Sequence, residues 1–312
     1  MGASVREDGG VWEKLGRVFC AAGEADWMQS HAFVPTPFSL NSDVLRVYVA
    51  FLDADLIGRV GWVDVLADDP TTVTGISNVP ALGLGDLGSF DDNGVTPMCV
   101  VRDDEGTLRL YYTGWQLFRS VRYLLLTGAA LSRDGGDTFE RLHTTPVLDR
   151  TSKELIARTA AYVIRDGGMW RVWYAAGSNT VVLNGNRTPT YSIRSADSVD
   201  GLEWPDEGRE ALAPGPDEFG VGRPCLVQRD GRQELWYSAR SISRGYRIGV
   251  ARSEDGVNFR REDPGIEPSP AGWDSQMLCF PYVIETRSGR YLFYNGNEYG
   301  RSGFGVARWS EG

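Results

Sequence analysis

The sequence predicts an all-β protein folded as a five-bladed β-propeller, and three observations carry this prediction. A short aromatic strand motif recurs five times along the chain. Each copy lies between two further strands, the second of which ends in a polar turn. The last repeat is one strand short, and the N-terminal segment matches the missing strand. Units of four antiparallel strands at a regular spacing are the sequence signature of a propeller.

The recurring motif is a strand in which apolar and aromatic residues alternate. Its copies are LRVYVAF (45–51), LRLYYTG (108–114), WRVWYAAG (170–177), QELWYSAR (233–240) and RYLFYNGN (290–297). Most copies follow a tight turn, as expected for the second strand of an antiparallel hairpin. We expect the repeated aromatic residues to pack between blades. These are Tyr112, Trp173, Tyr174, Trp236, Tyr237, Phe293 and Tyr294.

The strand ahead of this motif usually opens with a residue-proline pair, and the strand behind it ends in a polar turn. The leading strands are VPTPFSL, VTPMCVV, GRPCLVQ and CFPYVIE, with RTAAYVI as the version without proline. One polar turn, SRDGGDTF, fits the S-x-D-x-G-x-T-F pattern of Asp-box hairpins, in which the aspartate accepts backbone hydrogen bonds. We therefore expect Asp134, Asp197, Asp200 and Asp255 to be structural. The complete unit recurs at intervals of roughly 45 to 65 residues.

The two ends of the chain predict how the ring closes. The last repeat stops at FGVARWSEG, while the chain begins with REDGGVWEKLGRVF, whose D-G-x-x-W pattern matches the end of a repeat. The N-terminal strand is therefore predicted to complete the last blade, which leaves no unpaired edge at the junction. We expect residues 1–312 to form a single domain.

The net charge and the distribution of apolar residues indicate which kinds of partner the protein is not expected to bind. Forty-two acidic residues against 32 basic ones give a formal charge of -10, which repels nucleic acid and anionic lipid where no basic cluster opposes it. No apolar stretch approaches the roughly 20 residues needed to span a bilayer, and the N-terminus is polar. We expect a soluble, cytoplasmic protein with neither nucleic acid nor membrane as partner. The oligomeric state is left open.

The start of each blade's first strand is the expected place for function. The innermost strands of a propeller converge on one central cavity, so residues at their starts face it together. The five segments are SHAFVPTP (30–37), FDDNGVTP (90–97), ELIARTAA (154–161), EFGVGRP (218–224) and WDSQMLCFP (273–281). They supply His31, Asp91, Asp92, Asn93, Glu154, Arg158, Glu218, Arg223, Asp274 and Gln276.

Several motifs resemble a known group of proteins. Strands ending in YY, WY and FYNG with S-x-D-G turns resemble glycoside hydrolase families 32, 43, 68 and 130. WMQSHAFVPTPF, FDDNGVTP, GRPCLV, GWDSQM and YNGNEYG resemble an uncharacterised bacterial family of glycosidase-like five-bladed propellers. The resemblance covers nearly the whole chain and implies a sugar or sugar-derived small molecule as substrate.

The hydrolases of this group draw a general base, a general acid and a pKa-tuning carboxylate from different blades, because one carboxyl must protonate the leaving group while another activates water. This chain departs from that pattern. The first blade reads HAFVPTP, with no acid where family 43 has its base. The third blade offers Arg158 near the usual acid, and Gln276 stands where a glutamate is more usual. Only Asp91 and Asp92 lie close to an expected position.

A different constellation is therefore predicted. Asp92 and Asp274 are the candidate acid and base, Glu218 is a third carboxylate, and His31 is a proton shuttle or base. Arg158 and Arg223 would hold an anionic or polyhydroxylated substrate. Further candidate substrate contacts are Asn93, Gln276, Trp115, Trp273, Asn297 and Tyr299, and Glu298 is a plausible partner for hydroxyl groups. Structural alternatives stay open: Asp91 as a turn cap, and both arginines as partners of Glu154 and Glu218.

A metal site is not predicted. Asp91, Asp92 and Asn93 carry oxygen ligands that suit calcium, but they lack the spacing of an EF-hand loop, and adjacent residues of an extended segment point to opposite sides. We expect no metal and no cofactor.

Three functions remain in competition. The leading one is cleavage of a glycosidic bond by hydrolysis or phosphorolysis, for which two arginines and a histidine in the funnel would suit phosphate or an anionic sugar. The second is a non-hydrolytic tailoring reaction such as elimination, isomerisation or cyclisation, favoured by the missing first-blade acid. The third is a carbohydrate-binding or scaffolding propeller without turnover.

Overall fold

The computed structural model describes residues 10–119, 121–183, 185–229 and 231–311. Within these ranges the chain folds into β-strands and one short helical turn, and the strands form five blades of four antiparallel strands each. The predicted fold is confirmed. No helix in this described part of the chain is long and apolar enough to cross a membrane.

The first three complete blades follow in chain order after the N-terminal strand. That strand is β1 (Val11–Phe19). Blade I contains β2 (Ser30–Ser39), β3 (Val44–Leu52), β4 (Gly58–Leu66) and β5 (Val73–Ile76). Blade II contains β6 (Val95–Arg102), β7 (Leu108–Leu117), β8 (Tyr123–Ser132) and β9 (Glu140–Arg141). Blade III contains β10 (Ala157–Asp166), β11 (Met169–Leu183), β12 (Asn186–Ser198) and β13 (Arg209–Leu212).

The last two blades use the remaining strands and the N-terminal one. Blade IV contains β14 (Glu218–Arg229), β15 (Arg232–Ser241), β16 (Gly245–Ser253) and β17 (Arg260–Glu262). Blade V contains β18 (Cys279–Thr286), β19 (Gly289–Asn295), the turn α1 (Asn297–Gly300) and β20 (Phe304–Ser310). Its outermost strand is β1, which pairs antiparallel with β20 from Val11 opposite Ser310 to Phe19 opposite Phe304. The predicted closure by the N-terminal strand is confirmed.

The innermost strands close the ring. β2 contacts β6, β6 contacts β10, β10 contacts β14, β14 contacts β18, and β18 returns to β2. Between the blades lie the apolar clusters of the core, which contain the seven aromatic residues predicted for this role, all of them buried. The hydrophobic core thus lies between the blades, and the inner strands surround the central axis.

Each inner strand has a register irregularity, and in four of the five it lies at the residue-proline pair; β10, which has no proline, has it at the equivalent position. In four of the blades the residue at this point has a positive φ angle without being glycine: Val34, Ala160, Arg223 and Phe280. Proline cannot donate to a strand ladder, so a bulge at the pair costs no hydrogen bond. The bulge changes which side chains face the axis.

The predicted Asp-box turns are confirmed as structural. Asp134 accepts hydrogen bonds from the Thr138 backbone N–H and hydroxyl and from Ser132. Burial alone would raise the pKa of Asp134, but the hydrogen bonds from Thr138 outweigh it and lower the pKa to about 2. Asp200 and Asp255 accept backbone N–H groups in the same manner. Asp197 instead forms an ion pair with Arg171 on the adjacent strand.

Candidate functional site

A cavity of about 1000 Å³ lies where the inner strands meet. Its lining comes from the starts of the inner strands, from the hairpin connections between the second and third strands of blades I to III, and from α1. The volume is at the upper end of the range of small-molecule sites. The cavity expected at the starts of the inner strands is therefore present.

Backbone strain is concentrated in this cavity. The described part of the chain has eight non-glycine residues with positive φ, and every one of them lines the cavity. They are His31, Val34, Leu56, Ala160, Arg223, Phe280, Glu298 and Tyr299. Such conformations cost about 1–3 kcal/mol each and persist where the surrounding structure enforces them, most often at functional sites.

The charge of the lining is opposite to that of the whole chain. Among the described lining residues are five arginines, Arg119, Arg122, Arg187, Arg223 and Arg240, but only two carboxylates, Asp55 and Glu298. The chain as a whole carries a formal charge of -10. A cationic cavity with low-dielectric walls attracts anionic ligands.

Aromatic rings cover much of the remaining wall. Trp115 lies 5.5 Å from Tyr123 between ring centroids, and Phe33 packs edge-on against Phe280 at 5.0 Å. Tyr246 meets Tyr299 edge-on at 5.3 Å. Aromatic side chains in a cavity lining are suited to the apolar faces of a sugar ring, while hydroxyl and amide groups among them supply polar contacts.

His31 and Glu298 lie at the part of the wall shared by blades I and V. The Ser30 hydroxyl oxygen is 2.8 Å from Nδ1 of His31. Burial, and after it the charge of Arg301, lower the pKa of His31 to about 4, while the charge of Glu298 acts in the opposite direction. The imidazole is therefore neutral at pH 7 and can accept a proton.

Of the twelve predicted site residues, five line the cavity: His31, Asn93, Trp115, Arg223 and Tyr299. The other seven do not: Asp92, Asp274, Glu218, Arg158, Gln276, Trp273 and Asn297. Three of the four predicted catalytic residues belong to the second group, so the structure does not bring the predicted acid, base and third carboxylate together in the cavity.

Four of the acids at the starts of inner strands form ties within their blades. Each carboxylate is joined to a basic side chain, and a tyrosine of the second strand completes the group. In blade II, Asp91 contacts Arg141 at 2.8 Å and Tyr112 at 3.0 Å. In blade V, Asp274 contacts Lys14 at 2.7 Å and Tyr294 at 3.1 Å.

Blades III and IV have the same arrangement. Glu154 contacts Arg158 at 2.6 Å and the Tyr174 hydroxyl at 2.8 Å, which confirms the alternative that this arginine and glutamate pair with each other. Glu218 accepts two hydrogen bonds from Arg261, at 2.9 and 2.8 Å, and Arg261 also donates to Tyr237. We call these four groups the blade ties. In three of them the base lies on the outermost strand of the blade, so the tie spans its whole width.

The remaining predicted residues hold loops. Asp92 accepts the backbone N–H of Gly88 at 2.9 Å and the side-chain amide of Asn93 at 3.0 Å. Asn297 accepts from the Gln276 backbone N–H at 2.8 Å, and the ring of Trp273 stacks on Tyr294 at 5.2 Å.

Sequence reasoning missed most of the arginines and tyrosines of the lining. Arg240 ends the motif QELWYSAR, and Tyr191 lies on β12, which with β11 forms the longest hairpin of the described chain. The length of this hairpin is visible only in the structure, where β11 has 15 residues and β12 has 13, more than a blade requires.

Comparisons with solved structures agree with this architecture. A glycosyl hydrolase from Bacteroides ovatus matches with a TM-score of 0.71 at 14% identity, covering 96% of this chain and 93% of that one. A thermostable family-43 glycoside hydrolase matches with a TM-score of 0.64 at 16% identity over 89% of this chain and 88% of that one. A structure from work on family-130 mannoside phosphorylases and hydrolases matches with a TM-score of 0.68 at 15% identity over 96% and 93%. The fold is thus that of the five-bladed glycoside hydrolases and phosphorylases.

Sequence relatives place the chain more narrowly. It is 38% identical over 300 residues to the uncharacterised protein Rv1502 of Mycobacterium tuberculosis H37Rv, covering 95% of this chain and 98% of that protein. The uncharacterised protein MT1551 of strain CDC 1551 matches to the same extent. No family model matches the sequence. The chain belongs to the family of these mycobacterial proteins.

Proposed function

We propose that the protein is a carbohydrate-active enzyme that cleaves a glycosidic bond of a sugar or sugar-derived metabolite bound in the central cavity. The observation that carries this proposal is the concentration of all eight strained non-glycine residues of the described chain in that cavity. Four of them lie at the inner-strand bulges, and the other four, His31, Leu56, Glu298 and Tyr299, lie outside these four bulges, where such strain most often accompanies function. The fold it shares with glycoside hydrolases supports a sugar as the bound molecule.

His31 and Glu298 are the groups best placed for acid-base chemistry. His31 lines the cavity and is neutral at pH 7, the form that a general base requires, and its low pKa makes it a weak base until a bound substrate changes its surroundings. Glu298 is a carboxylate close enough to influence the His31 ring, and its backbone and that of Tyr299 are both left-handed. Asp92, Asp274 and Glu218 are poorer candidates, because each is held outside the lining by its own hydrogen bonds.

Turnover tests this assignment. With a panel of p-nitrophenyl glycosides and glycuronides, in the presence and absence of inorganic phosphate, we expect His31→Gln and Glu298→Gln each to lower turnover at least about a hundredfold. Asp69→Asn changes an exposed turn aspartate outside the cavity and is the matched control. Wild-type rates in both cavity variants would remove the assignment.

The engagement of Asp274, Glu218 and Glu154 in ion pairs favours a second candidate function, binding of a sugar derivative without turnover. Calorimetry separates the two. A binding protein would release heat with a ligand, leave that ligand chemically intact, and keep its affinity in the Glu298→Gln variant. Product analysis in labelled water shows whether hydrolysis has occurred, because hydrolysis places the label in the product.

A further inference from the structure

Five arginines of the described chain are buried, and they fall into two groups. Arg46, Arg158 and Arg290 each contact a carboxylate: Asp64, Glu154 and Glu234 respectively. Arg223 and Arg240, which are 3% and 7% exposed, have no carboxylate within ion-pair distance among the described residues. Both of these arginines line the cavity.

Arg223 donates its hydrogen bonds to the inner strands of other blades. Its guanidinium donates to the Met98 carbonyl at 2.9 Å, to the Pro35 carbonyl at 3.2 Å and to the Thr36 hydroxyl at 2.9 Å. These acceptors belong to blades I and II, so Arg223 reaches from blade IV to the other side of the ring. Although no carboxylate balances its charge, its donors are largely used.

Arg240 is held differently. Its guanidinium donates to the Tyr191 hydroxyl and, at 3.3 Å, to the Pro189 carbonyl, while its buried Nε, like that of Arg223, has no partner among the described residues. It lies 4.3 Å from the ring centroid of Phe219 and 5.8 Å from that of Tyr246. The ring faces fix the plane of the guanidinium, whose charge also interacts with Tyr123; all these neighbours are aromatic side chains rather than carboxylates.

The tyrosines around Arg240 do not supply a negative charge. Burial raises the pKa of Tyr191 to about 12 and that of Tyr246 well above the usual value for tyrosine, so both phenols are neutral at pH 7. Their hydroxyl groups can still donate or accept hydrogen bonds. With no counter-charge among the described residues, Arg240 can form a charge-assisted hydrogen bond with a carboxylate or phosphate that enters the cavity.

We propose that Arg240, with Tyr191 and Tyr246, forms a subsite for an oxyanion carried by the substrate, a carboxylate or a phosphate. The inference rests on the proposed function only in taking the cavity as the substrate site. Arg119, Arg122 and Arg187 are exposed residues of the same lining and attract the anion before it reaches Arg240. The backbone leaves room for this arrangement at Gly220, where a Cβ atom would lie 3.1 Å from the Tyr191 ring and 3.3 Å from Cδ of Arg240.

Ligand-induced thermal shift tests the subsite. The probes are glucuronate, glucose phosphate and inorganic phosphate, with glucose as the neutral match and all samples at one ionic strength. We expect at least one anionic probe to raise Tm in a concentration-dependent manner, glucose to have no comparable effect, and Arg240→Met to abolish the shift. A shift that persists in Arg240→Met, or no shift with any anionic probe, overturns the proposal.

The matched control is Arg158→Met, which removes a buried arginine that has a carboxylate partner. It should lower Tm of the free protein while keeping the anion-induced shift, provided that it folds. Tyr191→Phe removes only the hydroxyl that Arg240 contacts, and we expect it to weaken the apparent affinity for the anion several-fold. If Arg240→Met does not fold, an unchanged anion affinity in Tyr191→Phe would contradict the subsite.

The same probes identify the source of the oxyanion. Stronger binding of glucuronate or glucose phosphate than of inorganic phosphate supports an anionic group on the sugar. Binding of inorganic phosphate alone supports a free phosphate at Arg240. If anions bind through Arg240 but no glycoside is turned over, the subsite stands and the proposed reaction fails. If glycuronides are turned over equally by Arg240→Met and the wild type, the reaction stands and the subsite fails.

Discussion

The blade ties and the central cavity differ in whether their charged side chains are paired. In each tie a carboxylate contacts a basic side chain, with a tyrosine hydroxyl beside them. In the cavity, arginines outnumber carboxylates, and the two buried arginines have no carboxylate partner among the described residues. Both regions draw residues from the starts of the inner strands. The position of a charged residue in the repeat therefore does not show whether it is available to a ligand. The presence or absence of an ion-pair partner does.

The largest effect is expected from breaking a tie. Glu154 is buried and contacts Arg158, Arg194 and Tyr174. Glu154→Gln removes the charge and leaves a buried guanidinium unpaired, so we expect the free energy of unfolding to fall by about 3 kcal/mol or more, measured by urea denaturation. Glu207 also contacts Arg194 but is exposed, and Glu207→Gln should change stability little. Equal losses in the two variants would contradict the structural role of the ties.

A pH-dependent effect is expected in the cavity. Because the pKa of His31 in the folded protein is about 4, well below the usual 6.5, the folded state disfavours its protonation. Its contribution to stability is complete above about pH 6.5 and is lost as the pH falls toward 4. The stability of the wild type should therefore decline more steeply than that of His31→Gln across this window. Parallel pH profiles of the two proteins, from chemical denaturation, would show that His31 is not held neutral.

The smallest effect is expected at Asp92. Its oxygens accept from the Gly88 backbone and the Asn93 side chain outside the cavity lining, and asparagine keeps one of these acceptors. We expect Asp92→Asn to cost less than about 1 kcal/mol and to leave turnover near the wild-type rate. A fall in turnover of a hundredfold or more would return the acid-base role to Asp92.

The fold could be predicted almost completely from the sequence because the same four-strand sequence pattern occurs five times along the chain. Strand order, the turns after each third strand and the completion of blade V by β1 all follow from one repeating pattern. The polar turns were also predictable, because the hydrogen bonds that Asp134 accepts come from residues within the same short turn.

The candidate site was predictable only in part. The sequence places Asp91, Asp92 and Asn93 just ahead of one inner strand, but they lie in a turn before β6, so the alternation of side chains along a strand does not predict which of them faces the cavity. Asn93 lines the cavity, whereas Asp91 reaches Arg141 in the outer part of its blade. Arg240 and Tyr191 come from different blades, and nothing local in the sequence indicates that the two meet.

The contact between Asp274 and Lys14 has a consequence for how the propeller folds, because it joins the two ends of the chain. These residues are 260 positions apart, and Lys14 belongs to the strand that completes blade V. Bringing segments so distant together costs on the order of 5 kcal/mol in chain entropy before the closing contacts form. Since β20 leaves the ribosome long after β1, the N-terminal strand must wait through synthesis of four intervening blades for its partner. We therefore expect slow, late closure of the ring, in which the contact between Asp274 and Lys14 forms last, and we expect this structural role for Asp274 in place of a share in the acid-base pair.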